Sequence, residues 1–168
     1  MKVSAFTFIK NGQILGYPFV QSIQSILPIV DEFVINVGES EDDTLVLIQS
    51  IESEKIRIIQ SKWNDSMQDR GYVYGQQKMI AQFNCTGDWA FYIEGDEVYH
   101  ENDLEQIKLS MEMHFNDPAV EALVEKYLAL IKEDRKATRN RDSKYRQQLK
   151  ILICNLVWVS VRKNQWLY

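Results

Sequence analysis

The sequence is short of the residues that most specialised chemistry requires. Cysteine occurs only twice, at Cys85 and Cys154. Two thiols build neither a disulfide framework nor a zinc site by themselves, so a reduced, intracellular, cytoplasmic protein is expected, with both thiols buried as small hydrophobes. Three prolines and seven glycines exclude collagen-like and low-complexity architecture. Apolar runs are brief, as at 151–154 and 156–159, and fall far short of the roughly 20 residues of a membrane span. The opening residues turn polar at Lys10 and Asn11, too soon for a secretion signal. No Ser/His/Asp or Cys/His set has a recognisable local context. Gly12, Gly16, Gly71 and Gly75 match neither P-loop nor dinucleotide spacing.

What is present suits one globular domain: 168 residues, 45% hydrophobic and 26% charged. The net charge of -5 argues against nucleic-acid binding over the whole surface. Charge is uneven, however. From Glu125 to Lys150 nine basic residues stand against four acids. That segment reads as a solvated helix of mixed charge, and its two aromatics, Tyr127 and Tyr145, give little support for stacking on single-stranded nucleic acid.

Hydrophobic periodicity orders the chain. Val3 to Ile9 reads as a buried strand ending at Lys10-Asn11-Gly12. After Pro18, the spacing of Phe19, Ile23, Ile26, Leu27 and Val30 marks one face of a helix. A strand from Phe33 to Val37 stops at Gly38. Glu39-Ser40-Glu41-Asp42-Asp43 is an acidic turn, and Asp42 or Asp43 is expected to cap a helix over 44–51. A strand over 56–59, a polar loop over 61–70, a helix over 72–83 and a strand over 89–93 follow. The last strand ends abruptly in Glu94-Gly95-Asp96-Glu97. Asn102 or Asp103 is expected to cap a helix to His114, which Asp117-Pro118 ends. A strand is expected over 119–124, and residues 149–159 read as either a late strand or a buried helix.

Alternating strands and helices predict an α/β domain with a mostly parallel sheet, ligands lying at the carboxyl ends of the strands. Lys10-Asn11, Gly38-Glu39-Ser40 and Glu94-Gly95-Asp96 would then meet on one rim. Three carboxylates in four residues repel one another unless solvated or neutralised, and hard oxygen ligands suit Mg2+ or Mn2+, often shared with a diphosphate. A solvated acidic turn is the plainer reading of Glu94 to Glu97. His100 reads as a surface residue, and His114 as structural.

The order of these motifs resembles family-2 glycosyltransferases of the GT-A fold. In that family the first strand ends in a Pro-Thr-Tyr-Asn-like turn, here Phe8-Ile9-Lys10-Asn11. The second leads into an acidic turn, here Val37-Gly38-Glu39-Ser40-Glu41-Asp42-Asp43-Thr44. A helix with a basic residue, here Lys78, leads to Thr86-Gly87-Asp88-Trp89, an apolar strand, and an Asp-x-Asp motif, here Glu94-Gly95-Asp96. The resemblance covers about residues 2–117. It implies a GT-A-like, Rossmann-like, mostly parallel sheet flanked by helices and shortened, with a nucleotide-sugar-binding core over 1–118 and an atypical basic segment over 119–168 packed on or extending it. Asn11, Gly38 and Glu39 would lie near the nucleoside, and Lys78 near the diphosphate or base. Glu94 would face the ribose or metal, and Asp96 would ligate Mn2+ or Mg2+. The implied activity is transfer of a sugar from a nucleotide-diphosphate donor to an unknown acceptor, with inversion. The alternative is a catalytically inactive GT-A-like binding or interaction module. No catalytic base can be named, no membrane span or nucleic-acid partner is expected, and the exposed end of a shortened sheet allows a homo-oligomer.

Overall fold

The structure is a computed structural model and describes residues 1–67, 69–125 and 157–162. The apolar runs form strands β1 (Val3–Ile9), β2 (Glu32–Gly38), β3 (Ile56–Ser61) and β4 (Trp89–Tyr92). β1 pairs in parallel with both β2 and β4, and β2 in parallel with β3. Two further strands, β5 (Ala122–Glu125) and β6 (Val157–Arg162), add antiparallel partners, giving one six-stranded sheet in the order β3-β2-β1-β4-β6-β5. β1, β2 and β4 are buried almost without interruption, as inner strands with both faces covered must be.

Among the described residues, four α-helices cover the sheet: α1 (Phe19–Ile26), α2 (Thr44–Gln49), α3 (Tyr72–Phe83) and α4 (Glu101–Met113). The main core joins Phe19, Ile23 and Ile26 of α1, Ile48 of α2, and Leu104, Ile107 and Met111 of α4 to one face of the strands. A smaller core on the other face packs Ala81 of α3 and Cys85 against Phe6, Val34, Ala90 and Tyr92. α3 is also fixed by a buried polar contact. The Asn36 amide donates to Gln77 O at 3.0 Å and to Gln77 Oε1 at 2.9 Å, and the Ser61 hydroxyl donates to Gln77 Oε1 at 2.6 Å. No described helix is long and apolar enough to cross a membrane.

Three expectations need amendment. α4 is capped by His100, whose Nδ1 accepts the Asn102 N–H at 3.2 Å. Asn102 and Asp103 already lie in the first turn, where Glu101 and Asp103 meet the positive end of the helix dipole. The polar loop contains two short 3-10 turns, Asp65–Met67 and Asp69–Gly71. Of residues 149–159, those from Val157 onward are strand; the remainder, Cys154 and the basic residues 126–150 lie outside the described residues. Cys85 is buried as expected; burial first, then the charge of Glu32, pushes its thiol up to about 12.

The N-terminal edge of the sheet is closed by polar contacts around Glu32. Its Oε1 accepts the Ser4 hydroxyl at 2.5 Å, the Thr86 N–H at 2.5 Å and the Thr86 hydroxyl at 2.8 Å. Burial pushes this carboxyl up, but the bonds from Ser4 and Thr86 and the charge of Lys2 together hold it below the usual value of 4.5. A depressed acid stabilises the fold above its unfolded-state pKa, and that contribution is lost as pH falls through the folded value. Glu32→Gln is therefore expected to remove about 2 kcal/mol at neutral pH. It should also flatten the acid limb of stability below the ordinary carboxylate range. Urea midpoints measured across that range check it; an acid limb as steep as that of the unsubstituted chain would contradict it.

Candidate functional site

The chain steps outward from β1 to β2 and β3, then returns through α3 to β4 on the opposite side of β1. The order reverses between β1 and β4, which opens a crevice above their carboxyl ends. Four segments border it: residues 10–17 after β1, 39–43 after β2, 62–67 with 69–71 after β3, and 94–97 after β4.

The first two segments are bolted together. Asn11 adopts a left-handed backbone with φ of 54°, a conformation asparagine tolerates better than most residues. Its N–H donates to Ser40 Oγ at 3.0 Å, and its Oδ1 accepts the Glu41 N–H at 2.8 Å. The Gly12 N–H donates to Thr44 Oγ1 at 2.8 Å, and the Ile14 N–H to Asp42 Oδ2 at 2.9 Å. Asp43 holds the N-cap position of α2 without a side-chain bond, and Asp42, one residue earlier, accepts the Thr44 N–H of the first turn on its Oδ1 at 3.0 Å. Burial raises the Asp42 carboxyl, yet the Thr44 hydroxyl and the backbone N–H groups of Ile14, Thr44 and Gln13 draw it below its ordinary value. The Asn11 amide oxygen thus serves as a latch between two loops.

At the end of β2, Gly38 lies under Trp63. A Cβ on Gly38 would collide with Trp63 Nε1, stand 2.9 Å from Trp63 Cδ1 and 3.0 Å from Lys10 Cβ, so only glycine fits. The Lys10 ammonium sits 5.7 Å from the Trp63 ring centroid. The Glu39 N–H donates to Ser61 O at 3.0 Å, and the exposed Glu39 carboxylate meets Lys62 at 3.8 Å.

At the end of β4 the acidic turn is braced from below and within. The Ser22 hydroxyl of α1 donates to Glu94 O at 2.8 Å. The Glu94 N–H donates to Glu97 Oε2 at 3.0 Å, and the Glu97 N–H donates to Glu94 O at 3.2 Å. Burial and the neighbouring Asp96 charge push the Glu94 carboxyl above its ordinary value, against the pull of Lys78 and the Tyr92 hydroxyl. Burial, then the charges of Glu94 and Asp96, raise Glu97 as well. Lys78 of α3 holds its ammonium 3.5 Å from the centroid of the Tyr92 ring. Burial lowers its pKa, while Glu94 and Glu97 oppose that shift. Tyr17 completes the mouth, its hydroxyl raised by burial and by Asp96, Tyr74 and Glu94.

Lys78, Glu94 and Asp96 therefore share one electrostatic cluster, whereas Asn11, Gly38 and Glu39 belong to an adjoining one. The two are joined by aromatic rings. Phe8 lies 6.0 Å from Trp63, 6.4 Å from Tyr74 and 6.4 Å from Tyr92, the last pair stacked. Trp63 and Tyr74 meet edge to face at 5.7 Å. Sequence reasoning missed Trp63, Tyr74 and Tyr17; the available signal was a tryptophan isolated in a polar loop.

Among the described residues, no set of three His, Cys, Asp or Glu side chains is arranged to hold a metal ion alone. The acidic turn nevertheless suits a shared cation. Carboxylates whose protonation is favoured by burial and mutual repulsion gain from a divalent charge, and two hard oxygen donors leave coordination positions for an anionic ligand.

Comparison with known proteins gives a consistent picture. No family model matches the chain. An uncharacterized glycosyltransferase of Rickettsia felis is 29% identical over 116 residues, covering 69% of this chain and 36% of that protein. One from Rickettsia bellii is 30% identical over 96 residues, 57% of this chain and 28% of that protein. The chain thus spans about a third of the length of the curated relatives it matches. Among solved structures, S. aureus TarS 1-349 in complex with UDP-GlcNAc superimposes with a TM-score of 0.54 at 15% identity, over 79% of this chain and 39% of that one. Glucosyl-3-phosphoglycerate synthase from Mycobacterium tuberculosis, in complex with Mn2+, UDP and phosphoglyceric acid, gives a TM-score of 0.50 at 18% identity, over 74% and 42% respectively. The fold is GT-A-like, a mostly parallel sheet flanked by helices.

Proposed function

We propose that this GT-A-like chain supplies the nucleotide-sugar-binding part of a glycosyltransferase, with residues 1–118 as the donor-binding core and 119–168 extending it. One observation carries the reading: the acidic turn Glu94-Gly95-Asp96-Glu97 and Lys78 meet at the crevice where the sheet order reverses, beside the joined ends of β1 and β2. The relatives named glycosyltransferases and the UDP complexes of the structural neighbours support it.

Asp96 and Glu94 would hold Mn2+ or Mg2+, whose charge would neutralise the diphosphate leaving group as the bond to the sugar breaks. The protein's own residues do the rest. Lys78, kept beside the carboxylates by the Tyr92 ring, offers a cation to the diphosphate. Glu97 holds the Glu94 backbone through its N–H and so fixes the direction of the turn. Gly38, Glu39 and the latched Asn11 loop face the nucleoside. An acceptor hydroxyl attacking opposite the leaving group, its proton passing to a carboxylate base, would form the new C–O bond as the bond to the diphosphate breaks and so invert the anomeric carbon.

Calorimetric titration with UDP- and GDP-sugars, with and without Mn2+, tests the proposal. Metal-dependent binding of at least one donor is the expected result. Absence of binding to every nucleotide, with metal present, would overturn it.

A further inference from the structure

We infer that Trp63 is the positioning residue for the nucleoside of the donor, its indole forming the wall on which the base lies. The inference rests on the donor-binding reading above and adds a residue that no motif pointed to. Three observations converge on this side chain. It comes from the segment after β3, yet packs on Gly38 at the end of β2 so closely that no Cβ is tolerated there. The residue is half-buried; its ring carries the Lys10 ammonium at 5.7 Å and is steadied by Phe8 at 6.0 Å and Tyr74 at 5.7 Å. Its buried Nε1–H has no hydrogen-bond partner among the described residues.

A purely structural tryptophan in a core ordinarily satisfies its N–H and shows no face to water. Here a rigid aromatic plane stands at the rim with a cation over it. The same contacts tie it to Lys10, Gly38 and Phe8, which lead to the Tyr92 ring under Lys78. Every nucleobase offers a π-face to such a plane, and a lysine beside it favours the adjoining phosphates. Trp63 therefore sets affinity for the nucleoside and tolerates a change of base, while the acidic turn sets affinity for the diphosphate and its metal.

The test separates those two halves of the ligand. UDP and inorganic pyrophosphate, each with Mn2+, are titrated by calorimetry into the full chain and into Trp63→Leu and Trp63→Phe. Trp63→Leu is expected to weaken UDP by at least about tenfold, the scale of a lost stacking contact. Pyrophosphate should change by less than about twofold, and Trp63→Phe should recover most of the UDP affinity. Should Trp63→Leu not fold, the fluorescence arm decides: UDP should quench indole emission in the unsubstituted chain, and the quench should vanish in Trp63→Phe. Unchanged UDP affinity, an equal loss for UDP and pyrophosphate, or a quench surviving in Trp63→Phe would overturn the inference. If the unsubstituted chain binds pyrophosphate with Mn2+ but no nucleotide, the nucleoside wall fails; if it binds neither, the donor-binding reading fails first.

Discussion

Replacing Asp96 by asparagine is expected to weaken donor binding in the presence of Mn2+ by about a hundredfold, the scale of a lost metal-site interaction. The change removes one negative charge and leaves the shape nearly intact. No hydrogen bond or ion pair to Asp96 is formed among the described residues, so no scaffold contact is lost with it. Its charge raises the carboxyl of Glu94, that of Glu97 and the hydroxyls of Tyr17 and Tyr92, all by repulsion. Neutralising Asp96 relieves those repulsions. Thermal stability should therefore hold or rise slightly while metal-dependent affinity falls, a combination that a merely structural aspartate does not give. Chelating the metal should bring the two chains to the same weak affinity. Equal affinity of both chains with Mn2+ present would remove Asp96 from the site.

Gly87→Ala should have the largest effect on stability, about 3 kcal/mol, because its new methyl has no room to enter. A Cβ there would stand 2.6 Å from the Ser4 backbone N, 2.6 Å from Ser4 Oγ and 2.8 Å from Lys2 O. Lys2 leads into β1 and Ser4 lies in it; two of these three atoms are backbone, which cannot swing aside as a side-chain tip can. The same turn donates its Gly87 N–H to Ser4 Oγ at 2.7 Å and its Asp88 N–H to Lys2 O at 2.7 Å, while Asp88 Oδ2 accepts the Lys2 N–H at 2.7 Å. Pushing the turn away therefore breaks the seam where β4 begins to pair with β1. Urea denaturation should show a lower midpoint with an unchanged slope. Donor affinity of the folded fraction should be preserved, since the turn lies at the far end of the strands from the acidic residues. An unfolding free energy within about 0.5 kcal/mol of the unsubstituted chain would refute the clash.

The pairing of prediction and position shows what the sequence makes legible. Strands β1, β2 and β4 announce themselves because both faces are buried, leaving mostly apolar runs, broken only by the buried polar residues Ser4, Thr7 and Asn36 and bounded by Gly38, Glu94 and Asn11. The buried stripe of α3 shows as Val73, Gln77 and Ala81, although the reason for a glutamine there is visible only once Asn36 and Ser61 are seen to hold it. The most recognisable stretch runs from Thr86 to Glu97; its end, Glu94 to Glu97, borders the crevice, whereas its start, Thr86-Gly87-Asp88-Trp89, bears on the sheet seam. Its role depends on an encounter with Lys2 and Ser4 more than eighty residues earlier, which no local pattern encodes. Trp63 escaped notice for a related reason. Its loop has no periodicity, and its meaning comes from Gly38 and Lys10, delivered by two other strands. The antiparallel placement of β6 beside β4 is likewise a long-range pairing, Trp89 with Arg162 and Ala90 with Val161. His100 rather than Asn102 caps α4 because its ring nitrogen can accept just as a carboxamide oxygen does, a substitution that side-chain preference tables rank low.

The latch between Asn11 and Glu41 and the brace from Ser22 to Glu94 have a joint consequence for folding. Each wall of the crevice arrives on a separate crossover, and β4 must find β1 across most of the described chain before the acidic turn and the Trp63 wall can face each other. A chain that had closed only β1 on β2 would hold the latch but no cation seat. Ligand capture therefore reports completion of the whole sheet: a bound donor would protect the amides of β1 and β4 from hydrogen exchange together, and its contribution to stability would grow with its free concentration over Kd.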